Sequence, residues 1–284
     1  MFSTLIAAVD GRQGGRDALL LAARLAGPGT TVHAVHVDDC ARAEAEALVR
    51  RELDATGVAA QAYVTTEKPP ARGLHRAAVA LDADLIVVGR AHRGPAGRIV
   101  AGDNARAVVH GAECPVAVAP PAGASVPTEP VVGVGYDGSA ASRAALDWAA
   151  ALARDLGARL RVVSIAEREP DFSPSTLQGV NWAGKPGPRE EKARGHADEA
   201  EARLTGGVEA EVLIGAPHEV LHDLSQELSV LVVGSRGEGA VGRTLLGSVS
   251  DALVHSASCP VVVVGVPTGR RALIANTAPS TVGP

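Results

Sequence analysis

The residues with the clearest chemical meaning run from Gly234 to Ser248, Gly-Ser-Arg-Gly-Glu-Gly-Ala-Val-Gly-Arg-Thr-Leu-Leu-Gly-Ser, with the spacing G-x2-G-x9-G-S. They follow an apolar run at 229–233 and lead into a helical pattern. Glycines at Gly234, Gly237 and Gly247 permit positive φ and let the backbone approach an anion. Amide groups at a helix start, aligned with its dipole, favour phosphate. Ser248, read as the N-cap, adds a hydroxyl, and Arg236 and Arg243 bring positive charge within reach. The pattern is not a Walker A loop, because it has no GK[ST]. It is not the dinucleotide fingerprint either, because the glycines follow a fourth strand rather than a first. Taken alone they also fit a plain loop and a capped helix.

A carboxylate supplies the second half of the constellation. Asp137 lies in Tyr-Asp-Gly-Ser (136–139), at the carboxyl end of an apolar strand pattern. In a doubly wound sheet, ligands sit outside the carboxyl ends of the strands, where the strand order reverses. If the order is 3-2-1-4-5, the first and fourth strands are neighbours, and Asp137 would face the Gly234 loop. Asp-Gly-Ser also suits a turn that opens a helix. The two roles are compatible.

The elements that position these residues occur twice. The segment 87–119 aligns without gaps on 232–264, placing Gly89 on Gly234, Gly102 on Gly247 and Cys114-Pro115 on Cys259-Pro260. Asp10 in Val-Asp-Gly matches Asp137 in Tyr-Asp-Gly. Such repeats decide the architecture. The chain divides into a first domain at 1–120, a linker at 121–130, a second domain at 131–266 and a tail at 267–284. Pro and Gly content marks the linker and an insertion at 168–190 in the second half. Strands are predicted near 4–9, 31–37, 58–64, 84–88 and 115–118, then near 131–136, 159–165, 208–214, 229–233 and 261–264. Helices in the second half are expected near 140–156, 189–204, 217–227 and 248–256. Strands alternating with helices imply an α/β fold of two tandem doubly wound domains, each with a five-stranded parallel sheet.

Composition narrows the function classes. Hydrophobic residues make up 46% of the 284 residues and aromatics 2%, so the core must be Ala, Val and Leu. A net charge of −5 gives no global basic field for nucleic acid, and scarce aromatics give no base-stacking platform. No stretch has the length and apolarity of a membrane span. The first residues lack the basic lead-in of a signal peptide, so a cytoplasmic location is expected. Cys114 and Cys259 read as buried small hydrophobes, with a disulfide between them not expected, and Cys40 as exposed. The His218/His222 pair lacks a third ligand for zinc.

These residues resemble the universal stress protein family, in its tandem ATP-binding type, with an adenine nucleotide α-hydrolase-like fold. The resemblance rests on GSRG(x9)GSVSDALVHSASCPVVVV, on YDGSAASRAALDWAAALA and on GAPHEVL (215–221). It implies ATP, with or without Mg2+, at the switch-point crevice. Asp137 would lie near the adenosine, and Ile165 would offer backbone to adenine. Gly234, Gly237, Gly247, Ser248 and Val249 would enclose ribose and phosphates. It also implies pairing through last strands, either between the halves of one chain or between two chains.

The first half departs from this pattern. Gly89 and Gly102 are kept, and Asp10 and Val37 hold the adenosine-side positions, but His92 and Asp103 replace a glycine and the serine. A carboxylate at a helix N-terminus repels phosphate, so this half reads as a weakened or lost site. The leading expectation is a regulatory ATP-binding protein, using mainly its second half, with little or no hydrolysis. The alternatives are a slow ATPase and a ligand-free interaction module. The SGGxDS loop of adenylate-transferring relatives is missing.

Overall fold

A computed structural model of the protein describes residues 2–37, 41–90, 103–121, 127–168, 186–204, 208–235 and 246–266. The first half runs β1 (Thr4–Ala8), α1 (Gln13–Leu25), β2 (Thr31–Val37), α2 (Arg42–Thr56), β3 (Gln61–Thr65), α3 (Pro70–Ala80), β4 (Leu85–Gly89), α4 (Asp103–Val109) and β5 (Val116–Ala119). The second repeats the order as β6 (Val131–Gly135), α5 (Ala140–Leu156), β7 (Arg159–Ala166), α6 (Pro188–Arg203), β8 (Ala210–Ile214), α7 (Pro217–Leu224), β9 (Val230–Gly234), α8 (Ser248–Ser256) and β10 (Val261–Val264).

Local chemistry explains the element ends. Ser139 caps α5 by accepting a hydrogen bond from the Ser142 N–H, and Gly157 closes it in the left-handed region (φ 59°). Gly57 closes α2 likewise (φ 66°). Proline opens α3, α6 and α7, where a missing N–H costs nothing. The central strands are unbroken runs such as Val-Val-Val-Val in β10, buried throughout, as expected of strands covered on both faces.

The sheet has the order β3-β2-β1-β4-β5-β10-β9-β6-β7-β8. Each half therefore has the expected order 3-2-1-4-5, with all of its strands parallel. The halves join where β5 meets β10 antiparallel, with Val261 opposite Val118, Val262 opposite Ala117 and Val263 opposite Val116. One apolar layer holds Leu19 of α1, Val49 of α2, Leu146 of α5 and Ala200 of α6. The other holds Leu74 of α3, Val108 of α4, Leu221 of α7 and Leu253 of α8. Both layers run without a break across the join, since Ala117 and Val262 lie in the first, Val118 and Val261 in the second. Cys114 and Cys259 are buried thiols, not a disulfide, and burial pushes the Cys259 thiol up to about 12. Cys40 lies outside the described residues. No described helix is long and apolar enough to cross a membrane.

Candidate nucleotide site

Parallel pairing brings β7, β6 and β9 side by side with their carboxyl ends together. Ile165, Asp137 and Gly234 therefore gather at one edge of the sheet. Ile165 is the penultimate residue of β7, which runs one residue further than expected, and it lies opposite Leu213 of β8. Gly234 ends β9 hard against the start of α5, where a Cβ would come within 2.7 Å of Ala141 C and 2.8 Å of Ser142 N. The glycine thus has a packing role whether or not a ligand is bound. Ser250 Oγ of α8 donates to the Gly234 carbonyl at 2.7 Å, tying α8 to the strand end.

The turn after β6 is held by a short polar network. Ser139 N–H donates to Asp137 Oδ1 at 3.0 Å, and Ser142 Oγ lies 3.4 Å from the Asp137 amide, which donates to it. Gly138 has φ 73°, and a Cβ there would meet His196 Cδ2 of α6 at 2.8 Å. Desolvation alone would raise the Asp137 carboxyl. The hydrogen bonds from Ser139 and Ser142, with the nearby His196, outweigh it and hold the carboxyl below its ordinary range. Beside it, Arg143 Nε donates to Glu199 Oε1 at 2.7 Å, and Arg16 makes the matching bond to Glu52 in the first half.

The sequence reading put Ser248 at the N-cap of α8. The structure puts Gly247 there (φ −75°, ψ 162°), with its carbonyl accepting the Asp251 N–H at 2.8 Å, and makes Ser248 the first helical residue. An extended Gly247 gives no side-chain cap, so the first amides of α8 have no side-chain acceptor among the described residues. Ser248 is exposed and Val249 half-buried. Arg236 and Gly237 lie outside the described residues, as do Arg243 and Gly102.

The first half has the same frame, closed more tightly. A Cβ on Gly89 would fall 1.9 Å from the Gly14 carbonyl oxygen, and one on Gly15 would fall 2.9 Å from Asp10 Oδ1. Asp10 accepts the Arg12 N–H at 3.1 Å. These elements enclose a cavity of ≈ 430 Å³ lined by Asp10, Gly15, His36, Val37, Gly89 and Arg90, among others. That volume is ordinary for a small-molecule site. The half read as weakened thus keeps its crevice. Its walls come from β1, β2, β4, α1, α3 and α4, whereas the departures are His92, outside the described residues, and Asp103, at the head of α4.

Three features escaped the sequence reading. The buried His36 donates from Nδ1 to the Val9 carbonyl at 2.7 Å. Gly14 lets α1 abut the end of β4, and Gly15 lets it abut Val9 and Asp10 after β1. Arg90 crosses to the second half, donating to the Ala257 carbonyl at the end of α8. The double glycine after Asp-Gly was a visible signal for close backbone approach. The other two depend on contacts that no local pattern encodes. Among the described residues no cluster of His, Cys, Asp and Glu could hold a metal ion.

The model of the universal stress protein family matches residues 1–120 and again 130–265. A universal stress protein of Mycolicibacterium smegmatis is 36% identical over 152 residues, 48% of this chain and 48% of that protein. One of Mycobacterium tuberculosis is 33% identical over 194 residues, 64% of this chain and 62% of its own length. The alignments thus span about half to three fifths of these curated relatives. A solved universal stress protein from Archaeoglobus fulgidus superposes with a TM-score of 0.62 at 17% identity, covering 93% of this chain and 98% of that one. A Pseudomonas aeruginosa chain described in the same terms gives 0.66 at 15% identity, covering 97% and 96%. These two likenesses establish the fold.

Proposed function

The chain belongs to the universal stress protein family, and from that premise we propose that it binds an adenine nucleotide, foremost ATP with or without Mg2+, as a cytoplasmic regulatory stress-response protein. The observation that carries this reading is the start of α8. Among the described residues its backbone amides have no side-chain cap, and they follow the G-x2-G-x9-G segment, with Asp137 and Ile165 at the carboxyl ends of neighbouring strands. An anion at such a terminus gains from the dipole and the N–H groups of the first turn. Asp137, Ile165, Gly234 and the Gly247–Val249 turn would hold adenosine and phosphates, with Arg236 and Gly237 completing the loop.

Binding without appreciable turnover fits the same site. A general base works best with a pKa near the operating pH, and Asp137 is held on the acidic side of an ordinary carboxylate. A second reading has its own support. The ≈ 430 Å³ crevice beside Asp10, Val37 and Gly89 favours a ligand in the first half as well.

Isothermal titration of ATP into the wild type and G237E, with mass spectrometry of co-purifying nucleotide, tests both. One nucleotide per chain, lost in G237E, is the expected result. Two per chain, one surviving G237E, supports the second reading. No binding to the wild type overturns the proposal.

A further inference from the structure

In a symmetric pair of identical subunits, a residue on the two-fold axis faces its own copy. A duplicated chain escapes that rule, because equivalent positions in its two halves can differ. The β5–β10 join lies on such an axis: Ala117 faces Val262, and the repeat aligns these two positions with each other. The next equivalent pair along the axis is Arg106 of α4 and Asp251 of α8. Arg106 Nε lies 3.1 Å from Asp251 Oδ1. Among the described residues this carboxylate oxygen is shielded from solvent and has no aligned hydrogen-bond donor, and Arg106 is the charge beside it.

Two further contacts across the join are equally one-sided, although the strand pairs Val118–Val261 and Val116–Val263 are equivalent to each other. On the opposite face Phe2 meets Trp148 of α5 with ring centroids 5.8 Å apart, and the aligned counterparts of these residues are Glu129 and Leu21. Arg90 reaches the end of α8, where its counterpart Ser235 is short and buried. Two second halves joined through β10 would set Asp251 against Asp251 and lose both the Arg90 and the Phe2 contacts. Two first halves would set Arg106 against Arg106.

We propose that the β5–β10 join is a recognition surface for unlike halves: Arg106 and Asp251, with Phe2 against Trp148, admit the second half of the same chain and reject like halves of another copy. At the observed exposure, with Arg106 half open to solvent, the attraction of the ion pair is modest. Its weight lies in the like-charge pairs that it forbids. The connection favours closure within one chain. Three inter-strand spacings separate β5 from β6, roughly 14 Å, and residues 120–130 reach roughly 36 Å when extended. This inference stands whether or not nucleotide binds.

The test uses the full chain as wild type, R106D, D251R and the double swap R106D/D251R. Amide exchange is read at Val116–Ala119 and Val261–Val264. Each single substitution is expected to speed exchange about tenfold, and the double swap to return it to within about threefold of the wild type. R106D and D251R chains, denatured together and co-refolded, should form a reciprocal two-chain species by native mass spectrometry that neither forms alone. If a single variant does not fold, R106Q and D251N complete the same cycle without opposed charges. Additive effects in the cycle, or no two-chain species after co-refolding, would overturn the proposal.

Discussion

At the scale of single residues, glycine and one aspartate carry most of the local argument. Gly89 and Gly234 stand where a strand end meets a helix start, so even one methyl group has nowhere to go. Gly89→Ala should destabilise by about 1–3 kcal/mol, the usual cost of forcing volume into packed structure, because the obstructing atom is backbone. Gly195, within α6, has open space around its missing Cβ. Gly195→Ala should therefore stabilise by about 0.5–1 kcal/mol through helix propensity. Urea midpoints for the two variants check both signs. Asp137 gives a prediction in pH. Its folded carboxyl titrates below the unfolded one, so its contribution is complete above roughly pH 4, the unfolded range. It is lost as pH falls through the lower folded value. Midpoints from pH 6 to pH 2 should show the gap between wild type and Asp137→Asn constant down to that range and closing below it. A gap that widens in acid would contradict the assignment.

Elements were readable where their ends carry local chemistry. Helix α5 starts at Ala140 and ends at Leu156, the range predicted, with a serine cap and a terminal glycine at its ends. Ser139→Ala removes the acceptor of the Ser142 N–H and should cost about 1 kcal/mol, measurable by thermal unfolding. Serine at Ser142 complicates the reading, since its hydroxyl bonds back to the Ser139 carbonyl at 3.0 Å. Threonine at position 139 should restore most of the loss. Helix α6 shows what a pattern hides. It buries only Ala193, Ala197 and Ala200, so its charge-rich residues form an exposed face. Its residues His196 and Glu199 nevertheless reach the β6 turn, and neither was named as a site residue. Helix α8 was placed correctly, but its cap fell on Gly247 because an extended glycine closes the first turn without a side chain.

At the scale of the whole molecule, ten strands form one sheet whose two apolar layers cross the join unbroken. Joining β5 to β10 removes two edges and leaves β3 and β8 as the outer strands. The amino-acid sequence by itself determined the duplication, the alternation of strands and helices, and the glycines and aspartates at strand ends. Those features follow from residue type and short-range periodicity, which a linear reading detects. The strand order of each half entered as a condition, which the assembled sheet meets. Only the tertiary structure decided that Arg106 meets Asp251, that Phe2 meets Trp148, that Arg90 reaches across to α8, and that the first half keeps an open crevice. Each of these depends on residues distant in sequence becoming neighbours. The three contacts are set by how the two sheet halves join and the crevice by how the layers of the first half pack, properties of the assembled layers that no local pattern of residues specifies.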